Sequence, residues 1–334
     1  MGRLLRPRSR PKPRRLTRLK LGQTTPRGQC DDRSFRVNVS RLTLALSALF
    51  AAYSALIETR RFVVRRFEVE LAHLPPSAEG MRIAHISDLH GSAIVGPRLI
   101  RRAVEMCNEE QPDLVAVTGD FVSRRGSYFP LSGLRQRALP VHVYAQRTCD
   151  ELAHLRAPLG VYGVLGNHDH AEHLLQSAGK VGTDVQWLEE MLGRAGVQML
   201  TNRATRMRGL AVAGVDDWRS GQPALQSALA GIELDEALLL LSHNPRVLWL
   251  ARDRPALILS GHTHAGQIRV PGAAPLVLPA DMKGERWTEG SYRMGRAQMY
   301  VNAGVGSVSL PLRFDCPPEI TLYTLRTVTS RNAL

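Results

Sequence analysis

The residues able to do chemistry in this chain fall into a few short polar clusters. They are Asp88-Leu89-His90, Gly119-Asp120, Gly166-Asn167-His168-Asp169, Ser242-His243-Asn244 and Gly261-His262-Thr263-His264, the last followed by Gly266-Gln267. Together they supply four histidines (His90, His243, His262, His264), two aspartates (Asp88, Asp120) and the amide of Asn167. Mixed imidazole and carboxylate donors suit Mn, Fe or Zn. This donor set is too large for one tetrahedral ion and matches two ions that share a bridging carboxylate. Two ions ~3.5–4 Å apart are a recurring device for in-line attack on phosphorus. No thiolate takes part, which excludes a structural zinc finger.

Something must position these side chains, and the sequence around them indicates what. Each cluster sits at the end of a short apolar run: residues 83–87, 114–118, 161–165, 238–241 and 257–260. Such runs read as buried strands. Strands that stop in Asp, His or Asn line those side chains along one sheet edge, where open α/β sheets place their ligand sites. Residues 97–108 carry Leu99, Ile100, Ala103, Val104 and Cys107 at helical spacing, with Pro97 suited to a first turn. Strand-like and helical segments alternate, so the expectation is a layered α/β fold. Runs 298–302 and 320–325 alternate in polarity and are expected in a second sheet. The pair Asp216-Asp217 closes a strand-like run and reads as a turn or helix cap rather than a third metal site.

In residue type and order the clusters resemble the calcineurin-like metallophosphoesterase superfamily, and within it a membrane-linked bacterial branch of YkuE type. The similarity covers roughly residues 67–325 and includes Ile86-Ser87-Asp88-Leu89-His90, Leu159-Gly160-Val161-Tyr162, Ser242-His243-Asn244-Pro245 and Arg313-Phe314-Asp315-Cys316-Pro317-Pro318-Glu319-Ile320. The resemblance implies a sandwich of two mixed β-sheets flanked by helices, and two divalent transition metal ions. Asp88, His90, Asp120 and His264 would hold one ion; Asp120, Asn167, His243 and His262 would hold the other. A hydroxide bridging the ions would attack a phosphoester or pyrophosphate. His168 would face the substrate, stabilise charge on the phosphoryl group and protonate the leaving oxygen.

One position departs from the pattern. Ser123 stands where many relatives carry a second aspartate that orients the substrate-facing histidine. Asp169 is the candidate to take over that role, which would make it catalytic beside His168; a less strongly polarised His168 is the alternative. Arg124 and Arg125 follow, either as phosphate contacts or as a solvated loop. Of the histidines outside the motifs, His73, His85, His142 and His154 read as structural or surface residues, His85 as a core histidine within a strand. His170 and His173 read the same way, with lining of the substrate entrance as their alternative.

Charge is distributed unevenly. Residues 1–66 hold 17 of the 44 Lys/Arg and 3 of the 30 Asp/Glu, so the remainder is balanced and the whole net charge of +14 lies in the N-terminal segment. A basic chain raises nucleic-acid binding, but the neutral catalytic region argues against it. Residues 1–36 are Arg-rich, contain Pro and show no apolar period, as expected of a disordered tail. Residues 42–57 are uncharged and flanked by Arg41, Arg60, Arg61, Arg65 and Arg66. With neighbours, over 37–58, this run is expected to be a single membrane anchor, although it is short of the ~20 residues of a spanning helix; a cleaved signal and a surface-lying or buried helix are its alternatives. Arg on both sides leaves the orientation open. The four cysteines, Cys30, Cys107, Cys149 and Cys316, have no metal-type spacing and fit reduced thiols.

The expected function is therefore a dinuclear metal-dependent phosphohydrolase at a membrane surface, acting on a phosphorylated small molecule or lipid; the branch and its neighbours act on lipid-linked pyrophosphates. A nuclease, a cyclic-nucleotide phosphodiesterase and a non-catalytic phosphate-binding relative are the alternatives. The catalytic domain is expected to span 67–328.

Overall fold

The computed structural model describes residues 32–123, 139–170, 184–270, 272, 275 and 277–328. Residues 1–31, Arg124, Arg125 and His173 lie outside the described residues. In chain order the strands are Val63–Leu71 (β1), Arg82–Ile86 (β2), Leu114–Thr118 (β3), Val161–Val164 (β4), Val197–Met199 (β5) and Arg203–Met207 (β6). They continue with Leu210–Gly214 (β7), Leu238–Leu241 (β8), Ala256–Ser260 (β9), Gly290–Met294 (β10), Ala297–Val301 (β11) and Glu319–Thr327 (β12). One six-stranded sheet runs β1-β12-β2-β3-β4-β5 and the other β10-β11-β9-β8-β7-β6.

Both sheets are mixed, and the strands that feed the polar clusters are parallel within each. In the first sheet Ile86 lies beside Val117, and Thr118 beside Val164. In the second Gly214 lies beside Leu241, and Leu241 beside Leu259. The chain therefore leaves β2, β3, β4, β8 and β9 at aligned ends. Leu114–Thr118, Leu238–Leu241 and Ala256–Ser260 are buried throughout, which is why they read as unbroken apolar runs rather than alternating ones.

Three apolar layers result. Ile83, Leu114, Ala116 and Val164 of the first sheet meet Val212, Leu239, Leu241 and Leu259 of the second in the sandwich core. On the outer face of the first sheet, Ile86, Val115 and Val117 pack with Ile100, Val104 and Cys107 and with Leu188 and Leu192. Those covering residues come from two helices, Pro97–Glu109 and Asp184–Arg194; a third, Val141–Leu152, adds Ala145, Cys149 and Leu152 to the same layer. The outer face of the second sheet packs Leu240 and Ile258 against Leu248, Ala251 and Trp287.

The alternating runs divide between the sheets. β11 belongs to the second sheet as expected. β12 does not: it sits in the first sheet, parallel to β1 and antiparallel to β2. Alternation reports which face of a strand is buried and carries no information about its partner. β1 also begins at Val63, ahead of the expected domain start at residue 67, and pairs with β12 over its whole length.

The described residues divide into two units, one up to Ser47 and one from Ala48 on. A helix covers Asp32–Ala52 and runs on through a π-helical turn, Tyr53–Ile57, and a 3-10 turn, Glu58–Arg60. The stretch Arg41–Arg60 is long and apolar enough to cross a membrane, with a mean hydropathy of 1.5. Within the second unit the backbone amides of Arg313 and Cys316 donate to Ser54 O (3.0 Å) and Glu58 Oε1 (3.2 Å).

Candidate metal centre

The polar clusters converge where the two sheets' aligned ends meet. Asp88 N donates to Gly119 O (3.0 Å) and His90 N to Asp120 O (2.8 Å), which locks the β2 and β3 ends together. The second sheet is fastened to the first by His243, whose Nδ1 lies 2.7 Å from Thr118 O. The turns are tight: Asp88, His90, Asp120, His262 and His264 all have φ between 49° and 75°. Left-handed backbone is uncommon outside glycine, though Asp and His tolerate it better than most. Strain of this kind gathers at functional sites, where the surroundings hold it in place. Gly166 and Gly261 are required by closeness: a Cβ at Gly166 would collide with Asp120, and one at Gly261 with Ser87 and Asp88.

Asp88, His90, Asp120 and His264 each bring one ligand atom to within 4.8 Å of the others, and all four are buried. His90 Nε2 and His264 Nε2 are 2.9 Å apart, and Asp88 Oδ1 is 3.3 Å from His264 Nε2. Burial pushes His90 down to about 3 and His264 well below its ordinary value, so both rings stay neutral with lone pairs to offer. A second group adjoins it. His243 Nε2 lies 3.2 Å from Asn167 Oδ1, 3.1 Å from His262 Nδ1 and 3.3 Å from Asp120 Oδ2.

The outer partners fix the tautomers. Thr118 O accepts from His243 Nδ1, which leaves Nε2 as a lone pair facing inward. Asp281 Oδ2, 3.0 Å from His262 Nε2, accepts that ring's hydrogen and leaves Nδ1 facing inward. Carboxylate or carbonyl partners of this kind accompany metal-ligating histidines. Four acceptor atoms (Asp120 Oδ2, Asn167 Oδ1, His243 Nε2 and His262 Nδ1) thus point at one another, an arrangement that calls for a cation. A proton on His243 Nε2 is the competing cation, and the surrounding carboxylates favour it. Burial pushes His243 down, but the charges of Asp120, Asp88 and Asp217 outweigh it and raise the ring well above its usual value. Burial also pushes Asp120 up, and the imidazoles of His243, His168 and His90 hold it well below the carboxylate range. The residues present fit divalent transition metal ions by donor type.

His168 is half-buried; its backbone N–H donates to Asp120 Oδ1 (2.8 Å), and its ring stands edge-on to His90 with centroids 4.9 Å apart. Asp169 is fully buried, and its oxygens accept from the backbone amides of Val122 (3.2 Å) and Gly166 (2.9 Å). It braces the Asp120 and Asn167 loops against each other, with burial and the Asp120 charge raising it to about 7. Ser123 is buried, its hydroxyl without a partner among the described residues. His170 is paired with Asp216 at 2.7 Å, and Asp216-Asp217 forms the expected turn, with Asp217 Oδ2 accepting from Arg219 N and Ser220 N. His85 is the core histidine anticipated, bonded to Thr118 Oγ1. His73, His142 and His154 are exposed, and Cys107, Cys149 and Cys316 are buried free thiols.

Asp281 had no signal in the sequence. It lies in the short 3-10 turn Ala280–Met282, which carries no motif, 19 residues after His262. Arg313 had no assigned role. It is fully buried, with its guanidinium donating to Ala303 O, Gly304 O, Gly306 O and Cys316 O, and so pins the loop whose Gly306 N donates to Asp88 O.

A mixed two-sheet sandwich with Asp and His clusters at its aligned strand ends defines a metal-dependent phosphoesterase. The family model for calcineurin-like phosphoesterases matches residues 81–266, and the chain belongs to that family. It is 30% identical over 293 residues to the metallophosphoesterase YkuE of Bacillus subtilis, covering 85% of this chain and 93% of that one. It is 32% identical over 265 residues to the phosphodiesterase YaeI of Escherichia coli (76% and 86%). It is also 30% identical over 311 residues to a transmembrane protein with metallophosphoesterase domain of Danio rerio, covering 88% of this chain and 63% of that longer protein.

Proposed function

We propose that the chain is a dinuclear phosphohydrolase that cleaves a phosphoester or pyrophosphate at a membrane surface. The observation that carries the two-ion reading is the position of Asp120: its Oδ2 is 3.3 Å from His90 Nε2 and 3.3 Å from His243 Nε2, between the two donor groups. Asp88, His90, Asp120 and His264 hold one ion, and Asp120, Asn167, His243 and His262 the other, with Mn, Fe or Zn as the suited metals. Two such ions, when bound, neutralise phosphate charge and supply a nucleophilic water near neutral pH. Asp169 and Gly166 keep Asn167 and His168 at fixed distance from Asp120. His168, at the half-open side of the cluster, stabilises the phosphoryl charge and gives a proton to the leaving oxygen.

The membrane part of the proposal rests on Arg41–Arg60 and on the transmembrane relative. Leu42, Leu44, Leu46 and Leu49 are all exposed, and a row of exposed leucines on one helix suits lipid rather than water. A lipid-linked phosphate is the substrate class this placement favours.

Metal analysis of gently purified protein tests the centre. Two ions per chain are expected, falling sharply in Asp120→Ala; one ion or fewer after reconstitution with Mn overturns the two-ion reading. Assay against lipid-linked pyrophosphates, simple aryl phosphodiesters and cyclic nucleotides then separates the substrate classes.

A further inference from the structure

A cavity of about 590 Å³ opens between the end of the Arg41–Arg60 segment and the start of the Pro97–Glu109 helix. That volume lies within the range of about 300–1,000 Å³ that small-molecule sites occupy. Its walls are apolar, built mainly of Leu56, Phe62, Ile94 and Leu99, and Arg60 and Arg98 also line it. Phe62, Ile94 and Leu99 are half-buried and backed by the core beneath the first sheet, so the wall is preformed. Leu56 is 61% exposed. None of these residues is a donor of the metal centre.

The two arginines differ in how they are engaged. Arg60 donates to Ala55 O (3.2 Å) and Leu56 O (2.8 Å), which holds its guanidinium near the helix end. Arg98 is exposed and makes no ion pair among the described residues. A third, Arg102, is engaged by Glu105 and Glu109 and has less to offer. An apolar cavity with guanidinium groups at its edge complements a molecule that is apolar at one end and anionic at the other. Leu56 and Arg60 close the segment long enough to cross a membrane, so the chain itself carries the cavity to the headgroup layer, where such molecules are found.

We infer that this cavity is a binding site for an anionic membrane lipid, one acyl chain lying against Leu56, Phe62, Ile94 and Leu99 and the phosphate meeting Arg98 and Arg60. The inference rests on the membrane reading of Arg41–Arg60. It adds a lipid site separate from the metal centre. The loop between them is short: Ile94 follows the donor His90 by four residues, and Gly91 bridges to Val95. Occupancy would therefore hold the loop after His90 in a fixed place.

The test uses the full chain in neutral detergent and a fluorescent monoacyl glycerol phosphate as probe. The neutral monoacylglycerol of the same chain length and glycerol 3-phosphate serve as controls. Saturable binding of the probe is expected, weaker by about tenfold in Arg98→Glu, as loss of one charge-assisted contact implies. It should weaken similarly in Leu99→Trp, which fills the cavity, and stay unchanged in Asp120→Ala, which separates this site from phosphate at the metal centre. Arg98→Glu is a surface change and keeps the test open if Leu99→Trp does not fold. Equal probe binding in wild type and Arg98→Glu overturns the proposal, as does equal binding of the neutral lipid or full competition by glycerol 3-phosphate. Flotation with neutral phosphatidylcholine vesicles reads the anchor separately. A chain that floats but binds the probe regardless of Arg98 loses the cavity site alone. A chain that binds the probe through Arg98 and does not float keeps the site and loses the anchor.

Discussion

Asp281 backs His262: the carboxylate Oδ2 lies 3.0 Å from the ring Nε2 and also accepts from Asn244 Nδ2 at 2.9 Å. Burial pushes this carboxyl up, yet the hydrogen bond and charge of His262 hold it well below the carboxylate range. Arg219 adds a third contact, 3.4 Å from Oδ1. Asn244 is itself positioned by accepting from Arg246 N. The result is a chain of polar contacts whose effect is to turn one imidazole nitrogen toward the metal centre.

Asp281→Ala should therefore weaken metal binding by about 10–100-fold, the usual cost of removing an outer partner of a metal-ligating histidine. Asp281→Asn should lose less, because its amide oxygen can still accept from the ring. Chelator competition measures both. Equal affinities in all three proteins would show that His262 is oriented by packing alone.

His168→Ala is expected to keep both ions and lose turnover by ~10²–10⁴-fold, as removal of a general acid does. The loss should shrink for substrates whose leaving groups need no proton. Equal losses on good and poor leaving groups would assign the ring to phosphate positioning instead.

The His170–Asp216 pair gives a pH-dependent contribution to stability. Burial lowers His170, but the Asp216 hydrogen bond and charge outweigh it, so the folded ring titrates above its unfolded value. For Asp216, burial raises and His170 lowers, with a net shift down. The histidine contribution is complete below an unfolded pKa of about 6.5 and fades as pH rises through the folded value; the aspartate contribution is complete above about 3.9 and fades as pH falls through its folded value. His170→Gln should thus lower the melting temperature more at pH 5.5 than at pH 9. A pH-independent difference would mean that the pair is held by geometry, not charge.

Full-length protein should sediment with membranes and resist a high-salt wash, since buried apolar area is insensitive to salt whereas Arg–headgroup attraction is screened within ~8–10 Å. Salt release would replace the anchor by an electrostatic tether. Chains cut before the catalytic unit should divide at β1. One starting at Phe62 keeps the β1–β12 ladder; one starting at Phe67 loses the pairing of Val63 to Arg66 with Glu319 to Leu322 and should melt markedly lower. Matching melting temperatures would show that this half of the ladder contributes little.

The strands that carry the polar clusters were legible in the sequence. Leu114–Thr118 and Leu238–Leu241 are the same in expectation and structure, because a strand buried on both faces needs an unbroken apolar run and its end is marked by the first polar residue. The polar clusters stood out for a related reason: Asp, His and Asn side chains at such ends have few structural duties to explain them. What the sequence could not supply was pairing across distance. The place of β12 beside β1 and β2, the contact of Asp281 with His262, and the pair His170–Asp216 join residues far apart in the chain or unmarked by any motif. Asp169 shows the same limit within a motif: its type marked a polar partner, and only the fold shows its oxygens accepting from the amides of Val122 and Gly166. Local pattern fixes which face of an element is buried; which element it meets there is decided by the packing of all the others.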